Sequence, residues 1–361
     1  MVRKVKKNRR IKGLDGIRTI ALIGVLLYHT FPKAVPGGFF GVILFFVVSG
    51  YLAAVSGMAS LEKNEFSVIS YYKKRLIRLF PELIIVMFCT IGVMTMAAPE
   101  KMANTQSEVL SVVLGYNNFW QIRMNADYFA QLAKSSPFTH LWYIAVLIQF
   151  ELIWPWLLSG YDRVRQKCGK GKALLAAAAV TLLSFLIMPV SAVVFGENSL
   201  TNIYYNTFTR IFSIFAGVLL GLLHSEKIHI LSMHLRIPAA AGTLLAVYTG
   251  ILIYLYLHAS GTAMQVYTYG MALVTIIACR MIEIVSIRKN GTGRWMDNIL
   301  CAGISRYSYE IYLWQYPVLM IAGILGFSSS WYHYLLQIAV ILILSIWLYT
   351  FNNILQRKLA S

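Results

Sequence analysis

The chain has 361 residues, 58% of them apolar and only 13% charged, and its polar residues gather between long apolar runs, which excludes an ordinary water-soluble globule. The formal charge of +18, from 32 Lys and Arg against 14 Asp and Glu, falls between those runs, so it argues for topology and against nucleic-acid binding. Four cysteines, Cys89, Cys168, Cys279 and Cys301, lie in or beside the runs with no CxxC pair, which argues against a disulfide framework and against a zinc site.

A helix needs ~20 mostly apolar residues to cross ~30 Å of hydrocarbon. The pattern predicts ten spans, near 14–31, 39–57, 80–97, 140–158, 173–193, 207–223, 238–258, 264–282, 303–325 and 333–352. The expected fold is therefore all-α and polytopic. With the N-terminus inside, 25 Lys and Arg fall on the cytoplasmic side and five on the other, so both termini are expected in the cytoplasm. The basic excess also suits contact with anionic membrane lipids. The organisation read from this is a basic tail at 1–13, one ten-helix membrane domain at 14–352 and a short tail at 353–361. The basic start resembles a secretory signal, but no small-residue cleavage site follows, and the first helix is expected to be retained.

The first span carries three residues that apolar periodicity does not require: Asp15, Arg18 and His29. Ionisable groups in spans are costly and point to function by default. His29 follows Arg18 by eleven residues, about 1100° of rotation and ~16 Å of rise, which puts both on one stripe. Asp15 precedes Arg18 by three residues and is expected to pair with it. A neutral imidazole in the outer half of the membrane suits proton abstraction from an attacking hydroxyl. On spacing alone a second reading stands beside it, in which Arg18 closes a positive-inside cluster and His29 is a structural histidine.

Glycines at both ends of the second span, Gly37, Gly38, Gly41 and Gly50, permit close helix approach. Before the third span, Arg75 and Arg78 share a helical face and suit bidentate contact with phosphate, or they belong to a plain cytoplasmic charge cluster. The longest external segment, 98–139, holds Tyr116, Phe119, Trp120, Tyr128 and Phe129, which suit a lid or acceptor surface, or interfacial anchoring. The loops 159–172 and 283–300 read as solvated connectors. Arg210 reads as an interfacial snorkelling side chain, and His224, His229 and His234 as solvated groups with no metal.

Further motifs carry a resemblance. Leu14-Asp15-Gly16-Ile17-Arg18 leading to Tyr28-His29, then Gly37-Gly38-Phe39 through Phe45-Phe46-Val47-Val48-Ser49-Gly50-Tyr51, resembles the opening of the acyltransferase family 3 membrane enzymes. Arg75 to Pro81, His140-Leu141-Trp142-Tyr143 through Gln149-Phe150 to Trp154-Pro155, and Ser305-Arg306-Tyr307-Ser308-Tyr309 through Tyr312-Leu313-Trp314 to Pro317 follow in the family's order. The resemblance implies an O-acyltransferase of the bacterial inner membrane. It would move an acyl group, usually acetyl, from acyl-coenzyme A to a hydroxyl of an extracytoplasmic carbohydrate such as peptidoglycan, capsule, exopolysaccharide or O-antigen. It casts His29 as catalytic base or acyl relay with Arg18 as its partner, and Arg75 and Arg78 as contacts for coenzyme A phosphates. Asp15, Ser49, Trp142, Glu151, Ser308, Tyr309 and Trp314 become supporting residues, and no metal is implied.

The chain departs from the family where Ile43, Leu147 and Ile148 replace acidic residues, where Glu151 lies one turn after Leu147, and where Gln315 replaces a histidine. Some relatives carry a fused external esterase-like domain. Here the membrane domain, or a separate extracytoplasmic transferase partner, is expected to complete the reaction. Two other functions fit the same residues: a transporter or flippase for a glycan or lipid-linked intermediate, and a non-catalytic relative of the acyltransferases.

Overall fold

The computed structural model describes residues 11, 13–102, 105–126, 129, 136–196, 199–228, 237–287, 291–327 and 330–360. Every regular element among them is helical: α1 (Leu14–Thr30), α2 (Gly41–Glu62), α3 (Val68–Ala97), α4 (Thr105–Val113), α5 (Asn117–Arg123), α6 (Trp142–Cys168), α7 (Lys170–Phe195), α8 (Leu200–Tyr205), α9 (Thr207–Ser225), α10 (Pro238–His258), α11 (Met271–Ser286), α12 (Thr292–Met296), α13 (Ile299–Arg306), α14 (Ser308–Ile324) and α15 (Trp331–Ala360). The chain is an all-α polytopic membrane protein.

Among the described residues, eight helical segments are long and apolar enough to cross a bilayer. They match eight of the ten expected spans. The other two expected spans coincide with α1 and α14, each 17 residues long and so about 25 Å of rise. Both shorter helices carry buried polar groups, Asp15, Thr19 and His29 on α1 and Ser308, Glu310 and Gln315 on α14.

α2 forms the centre and is buried along nearly all of Gly41–Met58. It packs on α9 so closely that a Cβ added at Gly217 would fall 2.0 Å from the Val47 carbonyl oxygen, and one at Gly50 would fall 2.0 Å from that of Ile214. Any larger residue at either position parts the two helices. Helices α7, α10 and α15 are peripheral and present Leu175, Val193, Ile253 and Ile343 outward, as a lipid-facing surface requires.

Local signals set the helix ends. The Asn206 side chain accepts from the Phe208 N–H at 3.0 Å and starts α9, and Asn298 accepts from the Cys301 N–H at 2.9 Å and starts α13.

Two expected connectors differ. α6 runs on to Cys168 and α7 begins at Lys170, so the 159–172 loop shrinks to Gly169, whose φ of 85° only glycine adopts easily. Within 283–300, α12 is no solvated loop, since Thr292, Gly293 and Met296 are buried. At the C-terminus α15 continues through 353–360. The basic tail 1–13, apart from Ile11 and Gly13, lies outside the described residues, as do Arg288, Lys289 and Asn290.

The described parts of 98–139, α4 and α5 among them, lie between the end of α3 and the start of α6. Tyr116 and Phe119 there are exposed, and Tyr128 lies outside the described residues. A polar network fixes α5: Gln149 donates to the Gly115 carbonyl and to Asn118, and Asn118 donates to the Tyr205 carbonyl and to Thr207.

Beside this network, buried Glu108 accepts from Gln121 at 3.1 Å and from the Ser136 hydroxyl. Burial pushes its carboxyl up to about 7, although Ser136, Gln121 and Asn117 pull it back down. The folded carboxyl therefore holds its proton between about 4.5 and 7, where the unfolded chain has already lost its own, so stability falls as pH rises through that window and levels off above it. Comparing thermal midpoints of the parent and Glu108→Gln across that range should show the parent losing stability relative to the variant, by roughly 3 kcal/mol in all. Parallel curves would mean that Glu108 titrates normally.

Candidate active site

α1 and α14 build the site from facing polar groups. The Ser305 hydroxyl donates to Asp15 Oδ1 at 2.7 Å, Arg18 Nη2 donates to Ser308 Oγ at 2.6 Å, and His29 Nδ1 lies 3.0 Å from Gln315 Oε1. Asp15 thus reaches across to a partner on α13.

Ser308, Tyr312 and Gln315 stand four and seven residues along α14. They share one face within ~60°, so a single stripe of α14 tracks α1 from Arg18 to His29.

A cavity of about 340 Å³ opens along this stripe. Its lining holds Arg18, Ser49, Arg75, Arg78, Glu151, Ser308 and Tyr309, so the structure brings together seven of the residues singled out from sequence. Its charged lining is three guanidiniums against one carboxylate, which suits a polyanion. Arg75 Nη2 sits 3.1 Å from Glu151 Oε1, its guanidinium lies 5.3 Å from the Tyr71 ring centre, and the Tyr71 hydroxyl donates to Glu151. Leu147 and Ile148 make an apolar wall of the cavity, while Ile43 is buried in the core.

His29 is placed differently. It is buried, 8% exposed, against Gln315, with the Tyr316 ring 5.0 Å away, and it is not part of the cavity lining. Phe45, Tyr143 and Tyr312 are in the lining, and Tyr312 is one turn of α14 before Gln315, which is not.

A second imidazole, His140, stacks on the Tyr316 ring at 4.9 Å, whereas His29 meets it edge-on. Pro317 explains its position. Proline has no N–H for the helical bond to the Leu313 carbonyl, and His140 Nε2 lies 3.2 Å from that oxygen as donor. The Tyr312 hydroxyl donates to the His140 carbonyl, so α14 holds this residue at two points.

Trp142 and Trp314 line no part of the cavity. Trp142 is fully buried beside Phe46, Tyr204 and Tyr205. Arg210 does not snorkel: it is 3% exposed, donates to the Tyr204 carbonyl at 2.6 Å and lies over the Tyr204 and Trp142 rings at 4.1 and 5.3 Å. His224 is not simply solvated, since it meets the Tyr51 hydroxyl at 3.0 Å, and His229 and His234 lie outside the described residues. Among the described residues no group of three His, Cys, Asp or Glu side chains could hold a metal ion.

Sequence reasoning named Gln315, Tyr312 and His140 within motifs but gave them no role, and it did not single out the buried carboxyl groups of Glu82 and Glu310, which face each other between α3 and α14 beside Arg78. The seven-residue step from Ser308 to Gln315, matched to the eleven-residue step from Arg18 to His29, was the available signal.

A family model described as an acyltransferase domain, acyltransferase 3, matches residues 11–350. O-acetyltransferase OatA of Staphylococcus aureus strain NCTC 8325 is 25% identical over 330 residues, which cover 91% of this chain and 53% of the relative. A protein of S. aureus strain COL named "Putative O-acetyltransferase SACOL0978" is 28% identical over 323 residues, 88% of this chain and 52% of its own length. The chain spans about half the length of these curated relatives. No solved structure matches it.

Proposed function

Because this chain belongs to the acyltransferase 3 family, we propose that it is an O-acetyltransferase of the bacterial inner membrane that carries acetyl from acetyl-coenzyme A to a hydroxyl of an extracytoplasmic carbohydrate. The observation that carries this reading is the cationic cavity, whose lining joins Arg75 and Arg78 of α3, the apolar Leu147 and Ile148 of α6, and Arg18 of α1. Phosphates of the donor would meet the arginines, and the thin pantetheine arm would follow Leu147 and Ile148 inward.

In the transfer, His29 takes the acceptor's hydroxyl proton as the new C–O bond forms. The C–S bond breaks, and the departing thiolate receives the proton that His29 took, which restores the neutral imidazole. Gln315 Oε1 accepts from Nδ1–H, which leaves the basic lone pair on Nε2. Arg18, anchored on Ser308, supplies positive charge where the thiolate develops.

Purified chain in lipid is expected to consume acetyl-coenzyme A, and envelope glycans of a deletion strain should lose O-acetyl groups by mass spectrometry. Chain that binds coenzyme A and never consumes the acetyl donor would instead be a non-catalytic relative.

A further inference from the structure

We propose that Gln315 is a second catalytic residue, whose side-chain Nε2–H donates a hydrogen bond to the carbonyl oxygen of the acyl thioester while its Oε1 holds the His29 ring. The proposal rests on the reading of His29 as the base and adds a group to it.

Gln315 is fully buried, at 0% exposure, in the middle of α14. Its oxygen faces His29 Nδ1 at 3.0 Å. Its Nε2 has no hydrogen-bond partner among the described residues. A buried amide N–H is costly to leave unmade, and a buried amide donor beside a base is well placed to meet a carbonyl. The opposite placement of the amide would turn an N–H onto His29 Nδ1, force the ring proton to Nε2 and remove the lone pair the base needs.

The face of α14 fits this use. Ser308 and Tyr312 on the same face line the cavity, and Gln315 follows Tyr312 by three residues, ~4.5 Å along the axis. An acyl group that passes Tyr312 by one turn arrives between the His29 ring and the Gln315 amide. As the acceptor oxygen attacks, the C=O electron pair moves onto oxygen and Nε2–H meets the developing charge. When the C–S bond breaks, the pair returns and the sulfur leaves with its electrons. Gln315 gains and loses nothing.

Gln315→Met keeps the length and removes the amide; Gln315→Asn keeps an amide that stops one methylene short. Both are expected to lower kcat for acetyl-coenzyme A by ~10²–10³-fold with KM within a few-fold of the parent. The decisive readout is infrared. In the parent without acceptor, bound [1-¹³C]acetyl-coenzyme A should show its carbonyl stretch at lower frequency than in water-free solvent, and either variant should move it back up. A stretch that stays in place in both variants overturns the proposal, as does kcat within threefold of the parent. A His29→Ala chain that turns over normally would instead remove the reading beneath it, whatever the carbonyl stretch shows.

Discussion

Replacing His29 with alanine is expected to lower turnover of acetyl-coenzyme A by ~10²–10⁴-fold, the contribution of a positioned general base, with donor affinity near that of the parent. The geometry sets the terms. His29 lies outside the cavity lining, while Arg75 and Arg78, which would hold the donor, lie within it, so removing the imidazole leaves the donor site intact. A competing account makes His29 a buried structural residue that links α1 to Gln315 and Tyr316 on α14. The two accounts separate on His29→Gln, which can still bond Gln315. A structural histidine would leave His29→Gln active and His29→Ala both unstable and inactive in proportion. A base would leave both variants inactive, with thermal midpoints close to the parent. Retained turnover in a folded His29→Ala chain would remove this residue from the mechanism.

The bundle was legible because lipid imposes a one-dimensional rule: long apolar runs must be helices, and cations must stay between them. That rule located α2, α3, α6, α7, α9, α10, α11 and α15, and it also found α1 and α14, whose interiors break it. It could not reveal what the offending residues touch. Arg18 meets Ser308 and Asp15 meets Ser305 across 290 positions of sequence, and a pairing that distant depends on how α1, α13 and α14 cross. Arg210 misled for a related reason. A cation at the end of a span usually reaches towards water, but here Tyr204 and Trp142 enclose it. The loops misled because length does not reveal burial. The 98–139 segment drew notice for its aromatics, yet Glu108, Asn117, Asn118 and Gln121 are its buried polar groups, and their partners could not be read from spacing. His140 was partly readable, since a proline inside α14 announces an unpaired carbonyl four residues earlier, though not which donor fills it.

The second large effect concerns the cavity mouth. Arg78→Ala is expected to raise KM for acetyl-coenzyme A by ~10–100-fold, the range of one or two charge-assisted hydrogen bonds, with kcat little changed. Arg75 is expected to contribute less, because Glu151 and the Tyr71 hydroxyl already engage its ion pair and an arriving phosphate must compete with a carboxylate 3.1 Å away. Glu151→Gln should therefore lower KM by freeing the Arg75 fork, an effect opposite in sign to that of either arginine variant. Arg78→Lys keeps the charge but loses the planar pair of donors, and it should fall between Arg78→Ala and the parent. Acetyl-pantetheine, which lacks the nucleotide and its phosphates, provides the control. If Arg78 grips phosphate, the variant and the parent should use this short donor equally well, because the contact that was removed never existed for it. Equal losses on both donors would place Arg78 at the acyl end of the path and leave the cationic cavity without its proposed ligand.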